Sequence, residues 1–189
     1  WFDMPAITAA GRRAGALVGW DLAHAAGNVP LSLHDWEADF ACWCSYKYLN
    51  AGPGSLAGAF VHRRHARSVA GFGEPGFVPR LAGWWGNDPT TRFAMGPGFV
   101  PSGTADAWST SNPPIFALTP VRVSLEMFDK VGMSALRAKS EKMALYLRGL
   151  LDGLPGAGEV VSYVTPVDLA ERGCQVSVRV NVGDPRGLH

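Results

Sequence analysis

Asp39-Phe40-Ala41-Cys42-Trp43-Cys44-Ser45-Tyr46-Lys47-Tyr48-Leu49-Asn50 is the stretch on which the reading of the fold turns. Its first half, Asp39 to Cys44, is an apolar run too short for a helix and predicts a buried strand. Its second half is a loop of aromatic and small residues around a lone cation, Lys47, and runs on through Ala51 and Gly52. Upstream, Gly15-Ala16-Leu17-Val18-Gly19-Trp20 is a second continuously apolar run, ending on Asp21. It predicts a strand covered on both faces. Ahead of it, Asp3 and Pro5 read as a helix start, carried by Ala6 to Ala10 as far as Gly11 or Gly15. Leu22 to Gly27 reads as a short helical turn. Helix, strand, turn, strand is an α/β pattern, and ligands in such sheets gather at the carboxyl ends of strands.

Outward from this unit, residues 51–58 form a glycine-rich loop and Ala59 to His62 a further strand. Residues 71–114 are rich in glycine, proline and tryptophan and have little periodicity, which marks a functional or interface-forming region. Trp84, Trp85 and Trp108 are of the kind found at buried contacts. Thr119 and Pro120 predict a helix opening, as N-cap and first-turn proline, with Val121, Leu125 and Phe128 on one face. Gly132 interrupts it. A second helix follows, with Leu136, Met143, Leu147, Leu150 and Leu154 spaced for one buried stripe. Arg137, Lys139, Lys142 and Arg148 then read as its solvated side. Gly153 and Pro155 end it, and Cys174 to Val182 alternates as a half-buried strand of a smaller layer.

A net charge of +1, from 17 basic and 16 acidic residues, gives no electrostatic case for nucleic acid. No apolar run approaches the roughly 20 residues that span a bilayer. The start shows no charged-then-apolar signal segment. Three cysteines argue against a disulfide framework and read as small buried hydrophobes in a reducing cytoplasm. The chain opens on Trp1 rather than methionine and closes just beyond a strand, so a piece of a longer polypeptide is expected.

The chemistry lies in Asp21 and Lys47. A carboxylate and an amine, each delivered at a strand end, suit pyridoxal 5'-phosphate (PLP): the amine forms a Schiff base and the carboxylate keeps the pyridine nitrogen protonated. Lys47 is a lone cation amid Tyr46, Tyr48 and Leu49, where desolvation would favour the neutral amine. Asp21 could equally cap the turn that follows. His24, one turn on, suits packing against the ring or a structural role.

Taken together, Asp21-Leu22-Ala23-His24-Ala25-Ala26-Gly27-Asn28, Leu33-His34-Asp35-Trp36 and the Asp39–Asn50 stretch resemble kynureninases. Gly83-Trp84-Trp85-Gly86, Thr91-Arg92-Phe93, Ser111-Asn112-Pro113-Pro114 and Glu171-Arg172-Gly173-Cys174-Gln175 add to the likeness. The resemblance implies the aspartate-aminotransferase-like, PLP-dependent fold, with 1–118 as part of the large PLP-binding domain. Residues 119–189 would be connecting helices and part of the small C-terminal α+β domain. It implies hydrolysis of L-kynurenine, or its 3-hydroxy form, to an anthranilate and L-alanine by a homodimer. Lys47 becomes the Schiff-base lysine; Asp21, His24 and Tyr46 contact the cofactor; Trp84 and Asn112 reach the phosphate from the neighbouring subunit. Ser111 and Asn112 are placed at the substrate pocket. The family's phosphate cup, ring-stacking aromatic and early substrate histidine would precede Trp1, and its carboxylate-gripping arginine would follow His189. The 189 residues alone are therefore expected to be inactive.

Four rival readings stand beside this one. Gly52-Pro53-Gly54-Ser55-Leu56-Ala57-Gly58 lacks the residues of a nucleotide loop and precedes a strand; it reads as allowing close backbone packing beneath Lys47. His62-Arg63-Arg64-His65 reads as an isolated histidine pair without carboxylate partners at ligand spacing, which disfavours zinc. A cysteine desulfurase would need an exposed, reactive cysteine on a loop, and Cys174 heads an alternating strand. Outside enzymes, the chain could serve as a truncated assembly partner through 71–114.

Overall fold

The computed structural model describes residues 1–66, 73–94 and 96–181. α1 (Met4–Arg13) starts as the sequence predicts: the Asp3 carboxylate accepts the Ala6 amide at 3.0 Å, and a proline sits in the first turn. β1 (Gly19–Asp21), β2 (Phe40–Trp43) and β3 (Gly58–Val61) form one sheet in that order, followed by the single turn α2 (Arg63–Ala66). β1 and β2 run parallel, with Asp21 beside Cys42, and β3 returns antiparallel, with Phe60 beside Ala41.

One face of the sheet is packed and the other is open. Ala41 lies in a core with Met4, Leu22, Ala25 and Val29, against which Trp20, Trp36 and Phe60 pack. Phe40 and Cys42 alternate to the opposite face and are exposed, as is Leu17. The expectation of a first strand covered on both faces is therefore wrong for the described residues: α1 and the 22–29 turn supply a single covering layer. The cysteine expectation also needs correction. Cys42 is exposed on the open face, while Cys44, past the end of β2, and Cys174 are half-buried; all three are free thiols.

Between the sheet and the helices, the irregular region holds two short 3₁₀ turns, Arg92–Ala94 and Ala105–Trp108, and a bridge joining Asn87 to Pro101. Trp84 and Trp108 are exposed in the single chain.

α3 (Ile115–Val131) begins four residues earlier than Thr119. Pro114 holds the extended backbone of the N-cap and its carbonyl accepts the Leu118 amide at 3.1 Å. Thr119, instead of capping, bonds its hydroxyl back to the Ile115 carbonyl at 3.0 Å, and Pro120 sits inside the helix. The buried position of α3 is Ser124, whose hydroxyl donates to the Leu49 carbonyl, while Leu125 faces outward.

After Gly132, at φ 83°, α4 (Met133–Asp152) also turns the unexpected way. Its Met143, Leu147 and Leu150 are exposed, and Leu154 beyond its end is too; Ala144 is buried. Arg137 and Arg148 face inward. Arg137 donates to the carbonyls of Leu169 and Arg172 at 2.6 and 2.8 Å, and Arg148 lies 3.9 Å from the centre of the Tyr163 ring. The arginines find partners there that the leucine stripe would not. A short α5 (Ala157–Val160) leads into β4 (Val161–Tyr163), which pairs antiparallel with β5 (Val178–Val180). The predicted 174–182 strand is thus regular over three residues, with Val178 and Val180 exposed; Val182 lies outside the described residues.

Candidate active site at the carboxyl end of the parallel strands

Parallel pairing brings the ends of β1 and β2 to one edge. Asp21 ends β1, and the Leu22 amide bonds the Cys42 carbonyl at 2.8 Å before the chain turns back on itself. Asp21 Oδ1 accepts the Ala23 amide at 2.9 Å, the capping role the sequence allowed. Its other oxygen has no partner among the described residues, so the carboxylate keeps capacity for a ligand.

The lysine loop is built from below. Ser45 is buried and its hydroxyl meets Ser55 Oγ at 2.6 Å and the Leu56 carbonyl at 2.7 Å. The Asn50 amide closes onto the Lys47 carbonyl at 3.0 Å and the Ala51 amide onto that of Ser45 at 3.0 Å. Asn50 takes φ 57°, a left-handed conformation asparagine tolerates. Gly27, at φ 82°, crosses close beneath: a Cβ there would lie 2.7 Å from the Tyr48 carbonyl oxygen. The close packing expected of the 52–58 loop occurs only at Gly58, where a Cβ would lie 2.4 Å from the Trp43 ring. Gly52 and Gly54 face open space and are required instead for φ values of 84° and 78°.

Asp21, His24, Lys47 and Tyr48 line one cleft of about 440 Å³. Lys47 Nζ lies 3.2 Å from His24 Nε2, and the His24 ring meets Tyr48 edge-on with centroids 6.4 Å apart. Lys47 is half-buried rather than enclosed. Tyr46 is exposed, its ring 5.9 Å from Lys47 Nζ, and Tyr48 rather than Tyr46 forms the wall. Burial, together with the adjacent Cys174 thiol, pushes the Tyr48 phenol pKa up. Gly173 and Gln175 complete the lining, flanking Cys174, which lies 146 residues after Asn28, a contribution sequence reasoning did not assign to the site.

The remaining predicted residues lie elsewhere. Trp84 lines a separate cleft of about 560 Å³, where Arg92 sits 5.6 Å from its ring centre and 4.6 Å from that of Trp85. Ser111 and Asn112 are exposed and hydrogen-bond each other at 3.3 Å. None of the three joins Lys47 within this chain. His65, read from sequence as one of an isolated histidine pair without a carboxylate partner at ligand spacing, bonds Asp39 at 2.7 Å, as does Arg64. Among the described residues no group of three metal-ligating side chains is assembled.

A carboxylate with a spare oxygen, an amine and two aromatic rings in one cleft fit the donor set that PLP requires. The fold agrees. A cysteine desulfurase of Escherichia coli superimposes with a TM-score of 0.65 at 15% identity, over 95% of this chain and 39% of that one. One from Thermococcus onnurineus gives 0.62 at 17%, over 98% and 42%. The chain has the aspartate-aminotransferase-like fold of the PLP-dependent enzymes. Sequence narrows the class. The kynureninase of Salinispora tropica is 57% identical over 186 residues, that of Myxococcus xanthus 54% over 187, and that of Xanthomonas campestris 53% over 186. The matches cover 98–99% of this chain, which spans 42% of the length of those relatives. Along that stretch the chain is similar to kynureninases. No family model matches it.

Proposed function

We propose that the polypeptide carrying this stretch is a kynureninase, hydrolysing L-kynurenine or 3-hydroxykynurenine to anthranilate or 3-hydroxyanthranilate and L-alanine. The observation that carries the reading is the convergence of Asp21, His24 and Lys47 on one cleft. PLP, when bound, supplies an electron sink for the bond cleavage. The residues supply its placement and the protons. Lys47 would hold the cofactor through Nζ, and its amine would take the proton from the substrate α-carbon. His24, at 3.2 Å, orients that amine. Asp21 keeps a proton on the ring nitrogen through its uncommitted oxygen. Tyr46, exposed beside the lysine, is assigned to the cofactor phosphate.

Trp84, Ser111 and Asn112 are assigned to the cleft of a second copy, in a homodimer whose subunits share residues. Their position away from Lys47 and the exposure of Phe116 (93%) and Ile115 (76%) support a shared interface. The division into a large domain over 1–118 and a smaller one from 119 belongs to the same proposal. So does a reducing, cytoplasmic setting, which three free thiols suit. No described helix is long and apolar enough to cross a membrane. The 189 residues by themselves do not turn over kynurenine.

Adding PLP to the full-length polypeptide, reducing with borohydride and mapping the labelled peptide tests the reading directly. The label is expected on Lys47, with anthranilate fluorescence appearing when kynurenine is supplied. A label on any other lysine, or sulfide release from cysteine in place of anthranilate, removes the proposal. Mixing a Lys47→Ala copy with a Trp84→Ala copy tests the shared site: mixed dimers regain turnover if the tryptophan serves the neighbouring cleft.

A further inference from the structure

Asn28 takes no part in the chemistry above, yet it is 9% exposed and both ends of its carboxamide are committed. Nδ2 donates to the His24 carbonyl at 3.0 Å, and Oδ1 accepts the Cys174 amide at 2.9 Å, joining residues 146 apart. The reversed carboxamide would set oxygen against carbonyl and NH₂ against N–H, so the two bonds together fix its orientation. Gly173 is pressed against it: a Cβ there would come within 2.5 Å of Nδ2 and 2.8 Å of Oδ1.

The segment that Asn28 grips is braced on its far side. Arg172 is buried and donates to its own segment, to Gly173 O at 3.2 Å and Gln175 O at 2.8 Å. Arg137 of α4 donates to the Arg172 carbonyl at 2.8 Å. Tyr48, beside Lys47, adjoins the Cys174 thiol. One side chain therefore ties the turn that carries His24 to a segment that lines the same cleft through Gly173 and Gln175.

We propose that Asn28 is a positioning residue that latches the Arg172–Gln175 segment over the cofactor cleft, where the segment walls in bound substrate. This rests on the kynureninase reading for the identity of the substrate. The cofactor has anchors of its own in Lys47 and Asp21. The substrate depends on the wall, so loss of the latch acts on substrate retention first.

The test uses the full-length polypeptide with two variants, Asn28→Ala and Gly173→Ala. The second pushes the segment off the carboxamide from the other side and leaves every residue of the His24 turn unchanged in sequence, and it carries the test if the first does not fold. Hydrogen exchange on cofactor-free protein is the readout independent of activity. Exchange of the 173–176 amides is expected to rise about tenfold or more in both variants while β2 and β3 keep their protection. In the PLP-loaded enzyme, KM for kynurenine is expected to rise about tenfold, with kcat and PLP affinity within about threefold of wild type. Unchanged exchange at 173–176 overturns the latch. Raised exchange with unchanged KM overturns the wall. A parallel fall in melting temperature and PLP affinity alongside the rise in KM reduces Asn28 to packing and also overturns it. Failure of the wild-type protein to load PLP sinks the kynureninase reading instead, and leaves the exchange result to decide the latch.

Discussion

Two aspartates sit at opposite ends of the same pair of parallel strands and are treated in opposite ways. Asp39, just before β2, is 1% exposed and saturated. Oδ1 takes Arg64 Nη2 and His65 Nε2 at 2.7 Å, Arg64 Nε at 3.0 Å and Arg12 Nη1 at 3.3 Å; Oδ2 takes the Val18 amide at 2.8 Å. Burial works to raise its pKa, but the bonds from His65, Val18 and Arg64 prevail and hold it at about 2. Asp21, at the end of β1, is exposed and accepts one backbone amide. A carboxylate with both oxygens engaged within the chain fixes α1, β2 and α2 to one another. A carboxylate left half-used at the mouth of a cleft is available to a ligand.

Substitution at the two positions should separate chemistry from stability. Asp21→Asn, in the full-length enzyme, is expected to lower kcat/KM about 10³-fold or more, roughly 4 kcal/mol of transition-state stabilisation. Its unfolding free energy should stay within about 0.5 kcal/mol of wild type. A variant that retains a tenth of the activity would show that the carboxylate is only a turn cap. Asp39→Asn should do the reverse, costing about 3 kcal/mol in urea unfolding because Arg12, Arg64 and His65 lose their buried counter-charge and the exposed Glu37 replaces it only in part. Lysine labelling by PLP should persist wherever that variant remains folded. A cost below about 1 kcal/mol would mean the network is idle.

The same contrast can be read by acid titration. The folded Asp39 pKa of about 2 lies below the ordinary 3.8, so its stabilisation is present above that value and is lost as pH falls through the folded one. About 2 kcal/mol should disappear between roughly pH 4 and 2, a slope missing in Asp39→Asn. Identical slopes would assign the acid sensitivity to other carboxylates.

The legibility of the two ends differs for the same reason that their chemistry does. Asp21 and Lys47 announce themselves locally, each as a polar residue closing an apolar run, and the loop around Lys47 carries its own turn residues. Asp39 opens such a run just as plainly, but its partners Arg12, Arg64 and His65 are 25 to 27 residues away, and no local pattern pairs them. Asn28 is harder still, since Cys174 is 146 residues distant. The helices failed in another way. Periodicity in α4 finds the leucine stripe correctly, yet the described chain offers carbonyls and a tyrosine ring to the arginine face, half-covers Leu136 and leaves Met143, Leu147 and Leu150 exposed. Periodicity says which residues share a face, and only the neighbours decide which face is covered.

The smallest effect belongs to His62, at the edge of the Asp39 network. It is buried, stacked on His34 with ring centres 4.6 Å apart, and its Nδ1 accepts the Arg64 amide at 3.2 Å. Nε2 has no hydrogen bond, and Glu37 Oε1 stands 3.8 Å off. Burial lowers its pKa below the ordinary 6.5, and Arg64, His34 and His65 add to this against the opposing pull of Glu37. A lowered histidine pKa means that the unfolded chain binds the proton more tightly, so stability is intact above 6.5 and declines as the pH falls through the folded value. His62→Asn keeps an acceptor for the Arg64 amide and cannot titrate. Urea unfolding at pH 7.5 and 5.5 should show wild type losing more stability than the variant, the difference isolating His62 from the other histidines. Equal losses would mean that Glu37 offsets its burial, leaving Asp39 as the pH-sensitive member of the network.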